Sequence, residues 1–324
     1  MVNISVLFCS VFTLFLFMIP GFILRKLKLI DDGFSKNLSL LVLYVAQSAL
    51  LMHGYITEFK TEILSGLLQV FVVSFVIHIL LYFIARQLFK KAPVKLKKVL
   101  QFGLIFSNAG YMGIPVISDV LGPEFTIYAT IYVIWFNVFG FSLGRLIYTD
   151  NKKYISIKEA IINPAVTPII IGFIIFITGG GTWIQKVMIQ QNFVGSSVKI
   201  FYDVITVLKN MVAPATMLVI GARLADIDFK GIFKDKYMYP FVALRLLILP
   251  AIVFVLLKVL NIFSLIDTTS MSILLILSST PAAAITSIFA EVYGGDFHYA
   301  GKLVALTTLL SVLTIPTVAL LLLI

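Results

Sequence analysis

Predominantly apolar runs recur along the whole chain and break at charged or Gly/Pro-rich positions, giving segments near 4–24, 36–54, 64–88, 98–118, 125–148, 161–181, 201–223, 238–260, 270–290 and 300–322. Each is close to the ~20 residues that a helix needs to cross ~30 Å of hydrocarbon. Lipid offers no hydrogen bonds to the backbone, so an open chain can cross it only as helix. The pattern predicts an all-α membrane protein of ten transmembrane helices.

Polar positions between the runs set the orientation. With the N-terminus outside, the loops after the odd spans fall at about 25–36, 86–98, 145–160, 222–238 and 291–302 and hold 4, 6, 4, 4 and 1 Lys/Arg, against about four in all outer loops. Basic loops stay in the cytoplasm, which places both termini outside a cytoplasmic (inner) membrane. The first run has no positive leader and is followed by Arg25, Lys26 and Lys28, so it is expected to remain as a helix.

The two halves of the chain resemble each other. Val45-Ala46-Gln47-Ser48-Ala49-Leu50-Leu51 in the second span parallels Val212-Ala213-Pro214-Ala215-Thr216-Met217-Leu218 in the seventh. Asp119-Val120-Leu121-Gly122-Pro123-Glu124-Phe125 after the fourth parallels Glu291-Val292-Tyr293-Gly294-Gly295-Asp296-Phe297 after the ninth. Both matches are five spans apart, and an odd number of spans per copy inverts the second copy relative to the first. The expectation is a single membrane domain built as a 5+5 inverted repeat, with repeat one at about 1–148, a cytoplasmic connector at 149–160 and repeat two at about 161–324. Inverted repeats are characteristic of secondary transporters, whose sites lie near the bilayer midplane.

Two spans carry helix-breaking composition. The fourth contains Ser107-Asn108-Ala109-Gly110-Tyr111-Met112-Gly113-Ile114-Pro115, and the ninth Ser278-Ser279-Thr280-Pro281-Ala282. Unwound backbone at membrane depth is tolerated only where it is buried in protein or lines a cavity, and a half-helix N-terminus there favours an anion. The bland alternative is a kinked packing helix, since Gly and Pro are common in membrane helices.

Composition narrows the classes further. Of 324 residues, 60% are hydrophobic and 12% charged, about half the charge of a soluble domain. The net charge of +10 is spread over several loops and forms no nucleic-acid stripe. Cys9 stands alone, and His53, His78 and His298 fall on different segments without metal-ligand spacing, so no cofactor or metal is expected. Gly140-Phe141-Ser142-Leu143-Gly144 fits the G-x-S-x-G nucleophile pattern, which needs a strand, a turn and a helix. Here it ends a membrane span, where glycines four apart serve helix packing, so the chain reads as no enzyme.

At this point the chain resembles the auxin efflux carrier family, which includes plant PIN-type carriers and bacterial malate or malonate permease-like proteins. The resemblance rests on Gly21-Phe22 before Arg25-Lys26, the Val45 to Leu51 stretch, Asn108 with Met112-Gly113-Ile114-Pro115, and Asn163-Pro164. It continues through Leu244-Arg245-Leu246 with Pro250, Pro281-Ala282, and Ala290-Glu291-Val292-Tyr293-Gly294. It implies a ten-helix homodimer in which spans 1, 2, 6 and 7 form a scaffold and spans 3–5 and 8–10 a moving transport body. It also implies that broken helices four and nine cross at Ser107-Asn108 and Pro281-Ala282, beside a substrate carboxylate. The chain departs from the plant pattern in having Ser107 in place of proline, Ala282 in place of a polar residue, Gln47-Ser48 in place of Leu-Pro, and no long central hydrophilic loop.

Substrate-binding candidates are Asn108, Ser107, Thr280, Pro281, Ala282 and Arg245. Asn108 can hold a carboxylate or tie off loose carbonyls. Ser107, Ser279 and Thr280 are weaker, because such hydroxyls often bond their own backbone. Arg245, about seven residues into its span, either attracts the anion, snorkels, or serves as a fixed strut. His78 is a candidate for a coupled proton or a neutral packing histidine. Asp119 and Glu291 either gate or cap their spans, and Lys209 is a buried cation for Asp203 to neutralise. The absence of an acidic residue at either break disfavours a sodium/proton antiporter. The expected function is carriage of a small organic anion, with a coupled proton or counter-anion as a further partner. A ligand sensor of the same fold is the alternative, and an intramembrane hydrolase a distant third.

Overall fold

A computed structural model describes residues 2–151, 159, 162–227 and 235–323. Most of the expected connector and part of the basic loop at 222–238 therefore lie outside the described residues. What is described is helical, without strands. In chain order the helices are α1 (Ile4–Lys26), α2 (Gly33–His53), α3 (Thr61–Gln87), α4 (Val94–Ile105), α5 (Ala109–Leu121), α6 (Pro123–Thr149) and α7 (Val166–Ile177). There follow α8 (Gly180–Met188), α9 (Phe193–Ala225), α10 (Met238–Ile262), α11 (Thr268–Ser279), α12 (Ile285–Val292) and α13 (Phe297–Leu323).

Seven of these, α1, α2, α3, α6, α9, α10 and α13, are long and apolar enough to cross a membrane. The pair α7 and α8, bent by 78°, makes an eighth if taken as one span. α9 begins at Phe193, earlier than hydropathy alone suggests, because Asn192 caps it by accepting from the Gly195 N–H at 2.7 Å. Asn3, Asp31, Asp267 and Asp296 cap α1, α2, α11 and α13 in the same way, each satisfying a helix-start donor.

The distribution of polarity suits lipid as solvent. Leu68 and Phe83 are about 60% exposed, whereas Arg245, Ser74, Thr130 and Thr307 are fully buried. The tightest helix contact joins α1 and α9. A Cβ on Gly21 would lie 2.1 Å from the Leu218 carbonyl oxygen, and one on Gly221 would lie 1.9 Å from that of Met18. Only glycine on both helices allows this approach, the small-residue packing typical of membrane helices.

α4, α5, α11 and α12 are each 8 to 13 residues, too short to cross ~30 Å at 1.5 Å per residue. They form two interrupted rods, α4 to α5 and α11 to α12, whose breaks meet inside the protein.

Candidate functional site

The second break follows from local chemistry. Pro281 forces the residue before it out of the helical region, and Thr280 is extended, with φ −63° and ψ 153°. The first break has no proline: Phe106 is extended, with φ −97° and ψ 110°, and is held by its partner across the crossing. The Asn108 N–H donates to the Pro281 carbonyl at 2.8 Å and the Ala283 N–H to the Phe106 carbonyl at 2.9 Å. Ser107 and Ala282 thus pair as a short antiparallel bridge. Two of the backbone donors and two of the acceptors lost at the breaks thereby satisfy each other, as burial requires.

The structure brings six expected residues together here: Ser107, Asn108, Thr280, Pro281, Ala282 and Arg245. The Asn108 carbonyl accepts from Met112 at 3.0 Å and Gly113 at 3.1 Å, opening α5 with a widened π-helical turn. Pro115 contributes to that widening by removing the donor that Tyr111 would otherwise receive. The Asn108 side-chain Nδ2, buried, has no hydrogen-bond partner. The Ser107 hydroxyl lies 3.3 Å from that of Tyr132. Thr280 and Ser279 return their hydroxyls to Leu277 and Ile276 carbonyls at 2.8 Å, and the Ala282 N–H reaches Thr307 Oγ1 at 3.3 Å.

Arg245 sits on a π-helical turn of α10, Leu244–Ile248, followed by Pro250. Its guanidinium donates to the Leu104 carbonyl at 3.0 Å, Ser278 at 3.0 Å and Thr280 at 2.7 Å. It therefore contacts the C-terminal ends of α4 and α11, with no acidic partner among the described residues.

The N-terminal ends of α5 and α12 face a small cavity of about 20 Å³ lined by Ser107, Asn108, Gly110, Tyr111, Ala283, Ala284, Gln47 and Asn137, among others. Gln47 Oε1 is buried there without a partner, and Gly110 leaves room for the Gln47 amide, since a Cβ would stand 3.1 Å from Nε2. Asn137 Nδ2 donates to the Val133 carbonyl at 2.8 Å. Gln47, noted above only as a departure from the plant pattern, and Asn137 are further candidates at the site. The signal they share in the sequence is an amide inside an apolar run.

Two larger vestibules lie along the half-helices α12 and α5. Along α12, about 450 Å³ is lined by Arg25, Lys36, Arg223, Lys302, Asp226 and Glu291, among others, at the basic end of the molecule. Tyr111, Ala284 and Arg223 line a narrow cavity between this vestibule and the crossing. Along α5, about 290 Å³ is lined by Ser10, His53, Pro115, Asp119 and Lys209, among others. Asp119 and Glu291 thus line different vestibules. Asp119 accepts from the Ser10 hydroxyl at 2.7 Å.

Lys209 is not neutralised by Asp203, which pairs with Lys199 one helical turn away at 2.8 Å. Lys209 Nζ instead lies 3.2 Å from His53 Nδ1, because α2 packs against α9. His78 is fully buried, its Nδ1 2.8 Å from the Ser74 carbonyl and its ring 4.9 Å from that of Tyr132. Ser142 lies in the π-helical turn Gly140–Gly144 of α6 and gives its hydroxyl to the Val138 carbonyl at 2.6 Å. A Cβ on Gly144 would meet the Phe102 ring at 2.6 Å, in keeping with a packing role.

The chain is thus a multi-pass helical membrane protein in which two broken helices meet beside a small buried cavity. Residues 6–319 match the membrane transport protein family, and the chain belongs to that family, the auxin efflux carrier family that its motifs resemble. No curated protein matches the chain.

Proposed function

We propose that the chain is a secondary carrier or uniporter of small organic anions, mono- or dicarboxylates, working by alternating access across the cytoplasmic membrane with both termini outside. The observation that supports this reading most is the convergence of the α5 and α12 N-terminal ends on a cavity where Asn108 Nδ2 is unpaired. Each end carries about half a positive charge, so the pair offers about +1, which suits one carboxylate. Such a group loses its water at this depth and needs protein donors in exchange. Half-helix N–H groups and the Asn108 amide supply them.

In this reading the ten spans are α1, α2, α3, α4 with α5, α6, α7 with α8, α9, α10, α11 with α12, and α13, arranged as a 5+5 inverted repeat. The scaffold comprises α1, α2 and α7 to α9 and assembles as a homodimer. The remaining helices move against it, so that each vestibule opens in turn. Ser107, Thr280, Pro281 and Ala282 shape the site through backbone and hydroxyl groups, while Asp119 and Glu291 stand at its two approaches.

The test is uptake into proteoliposomes of purified protein with a panel of labelled mono- and dicarboxylates. Saturable flux of at least one acid is expected. Binding without flux would instead indicate a sensor, and neither binding nor flux would overturn the reading.

A further inference from the structure

The two broken helices present opposite ends to opposite sides of the crossing. The N-terminal ends of α5 and α12 face the cavity, whereas the C-terminal ends of α4 and α11 are buried behind it. Each C-terminal end carries about half a negative charge in exposed carbonyls, so the two together present about −1 in a low-dielectric interior. Uncompensated, that concentration of acceptors is costly, and it is the kind of oxygen cluster at which transporters hold a coupling cation.

Here the cluster is already filled. Arg245, fully buried, sends Nη1 to the Leu104 carbonyl of α4 and Nη2 to the Ser278 and Thr280 carbonyls at the end of α11, while its Nε is buried without a partner among the described residues. The planar fork spans both helices. A compact ion would have to displace it to reach the same oxygens. The π-helical turn Leu244–Ile248 that carries Arg245 precedes Pro250, whose missing N–H leaves the Leu246 carbonyl without its usual donor.

We propose that Arg245 is a positioning residue that serves as the carrier's built-in counter-cation. It neutralises the C-terminal ends of both broken helices and fixes the two breaks in register, so that the N-terminal ends meet at the substrate cavity and no sodium ion is needed to organise the site. On this view Arg245 never touches the anion. It acts through the backbone of Leu104, Ser278 and Thr280, and the charge it supplies stays with the protein through the cycle. The inference rests on the reading of the crossing as an anion site, but its test requires no organic anion.

The experiment is thermal unfolding of the full-length protein purified in detergent, in matched sodium, potassium, choline and low-millimolar guanidinium chloride. The parent should unfold at the same temperature in all four. Arg245→Ala should unfold at a lower temperature, and guanidinium, which can re-enter the vacated carbonyl cluster, should recover part of the loss where sodium and choline do not. If the alanine variant cannot be purified folded, Arg245→Lys becomes the measured variant. Its ammonium retains the charge without the fork, so it should fall below the parent and gain nothing from guanidinium. A saturable rise of the parent's unfolding temperature with sodium would overturn the proposal. So would an alanine variant as stable as the parent or rescued no better by guanidinium than by choline, or a lysine variant indistinguishable from the parent.

Discussion

The Asn108 N–H donates to the Pro281 carbonyl across 2.8 Å, joining two residues from opposite halves of the chain at the point where both broken helices have lost their own hydrogen bonds. That bond uses the Asn108 backbone and leaves its side-chain amide unpaired beside the cavity. Asn108→Ala therefore removes a donor without opening the backbone bridge. A bound carboxylate should lose about 1.5–3 kcal/mol, roughly ten- to a hundredfold in affinity, with expression nearly unchanged. Titration of the purified variant with the transported acid checks this, and affinity equal to the parent's would remove Asn108 from the site.

The α1–α9 contact should be the least tolerant surface in the protein. Gly221→Leu drives a side chain into the Met18 backbone, where even a Cβ would stand 1.9 Å from the carbonyl oxygen. Separation of the helices should cost at least the ~1–3 kcal/mol typical of overpacking and lower the unfolding temperature. Gly301→Ala is the control, since the nearest atom to a Cβ there is 4.0 Å away. Equal unfolding temperatures for the two variants would contradict the packing argument.

His78 presents Nδ1 to the Ser74 carbonyl at 2.8 Å and is packed among the rings of Phe106, Tyr132 and Phe139. The Ser74 carbonyl can only accept, so Nδ1 carries the hydrogen, and Nε2 is buried with no partner among the described residues through which a proton could be relayed. His78→Gln should therefore leave the dependence of flux on a pH gradient intact and lower stability by about 1 kcal/mol, the usual worth of one buried hydrogen bond. Loss of the pH-gradient dependence with substrate binding retained would assign the coupled proton to His78.

Ser142→Ala separates carrier from hydrolase. The Ser142 hydroxyl is bonded to the Val138 carbonyl of its own helix at 2.6 Å, so transport should stay near the parent's rate in the proteoliposome assay. Abolished activity would show that this hydroxyl has a chemical role.

The membrane potential supplies a further measurement. An inside-negative potential drives each uncompensated negative charge outward with ~2.3 kcal/mol per 100 mV, so uniport of an anion should run outward and import should require a coupled proton or counter-anion. If an inside-negative potassium-diffusion potential accelerated uptake of a divalent anion, co-transport of cations would replace the uncompensated scheme.

The chain's own sequence determined whatever depends on residues close together in it. Apolar runs specify membrane helices because lipid leaves the backbone no other donors or acceptors. Asn192 and Asp267 start their helices by bonding N–H groups three residues ahead. Pro281 ends α11 because its ring excludes the helical conformation at Thr280. Asn108 stood out for the same local reason, as an amide within a Gly- and Pro-rich span.

Only the tertiary structure decided the rest. No proline stands at Phe106 to fix the place of the first break, which persists because Pro281 and Ala283, more than 170 positions away, complete its hydrogen bonds. Arg245 meets three carbonyls and Lys209 meets His53 in place of Asp203. The Gln47 amide reaches the α5 N-terminus only because Gly110 leaves space for it. Propensity, capping and hydropathy act over a few residues. The partner of a buried charge or unpaired amide is set by which helices pack together, and that follows from the whole chain filling its interior at once.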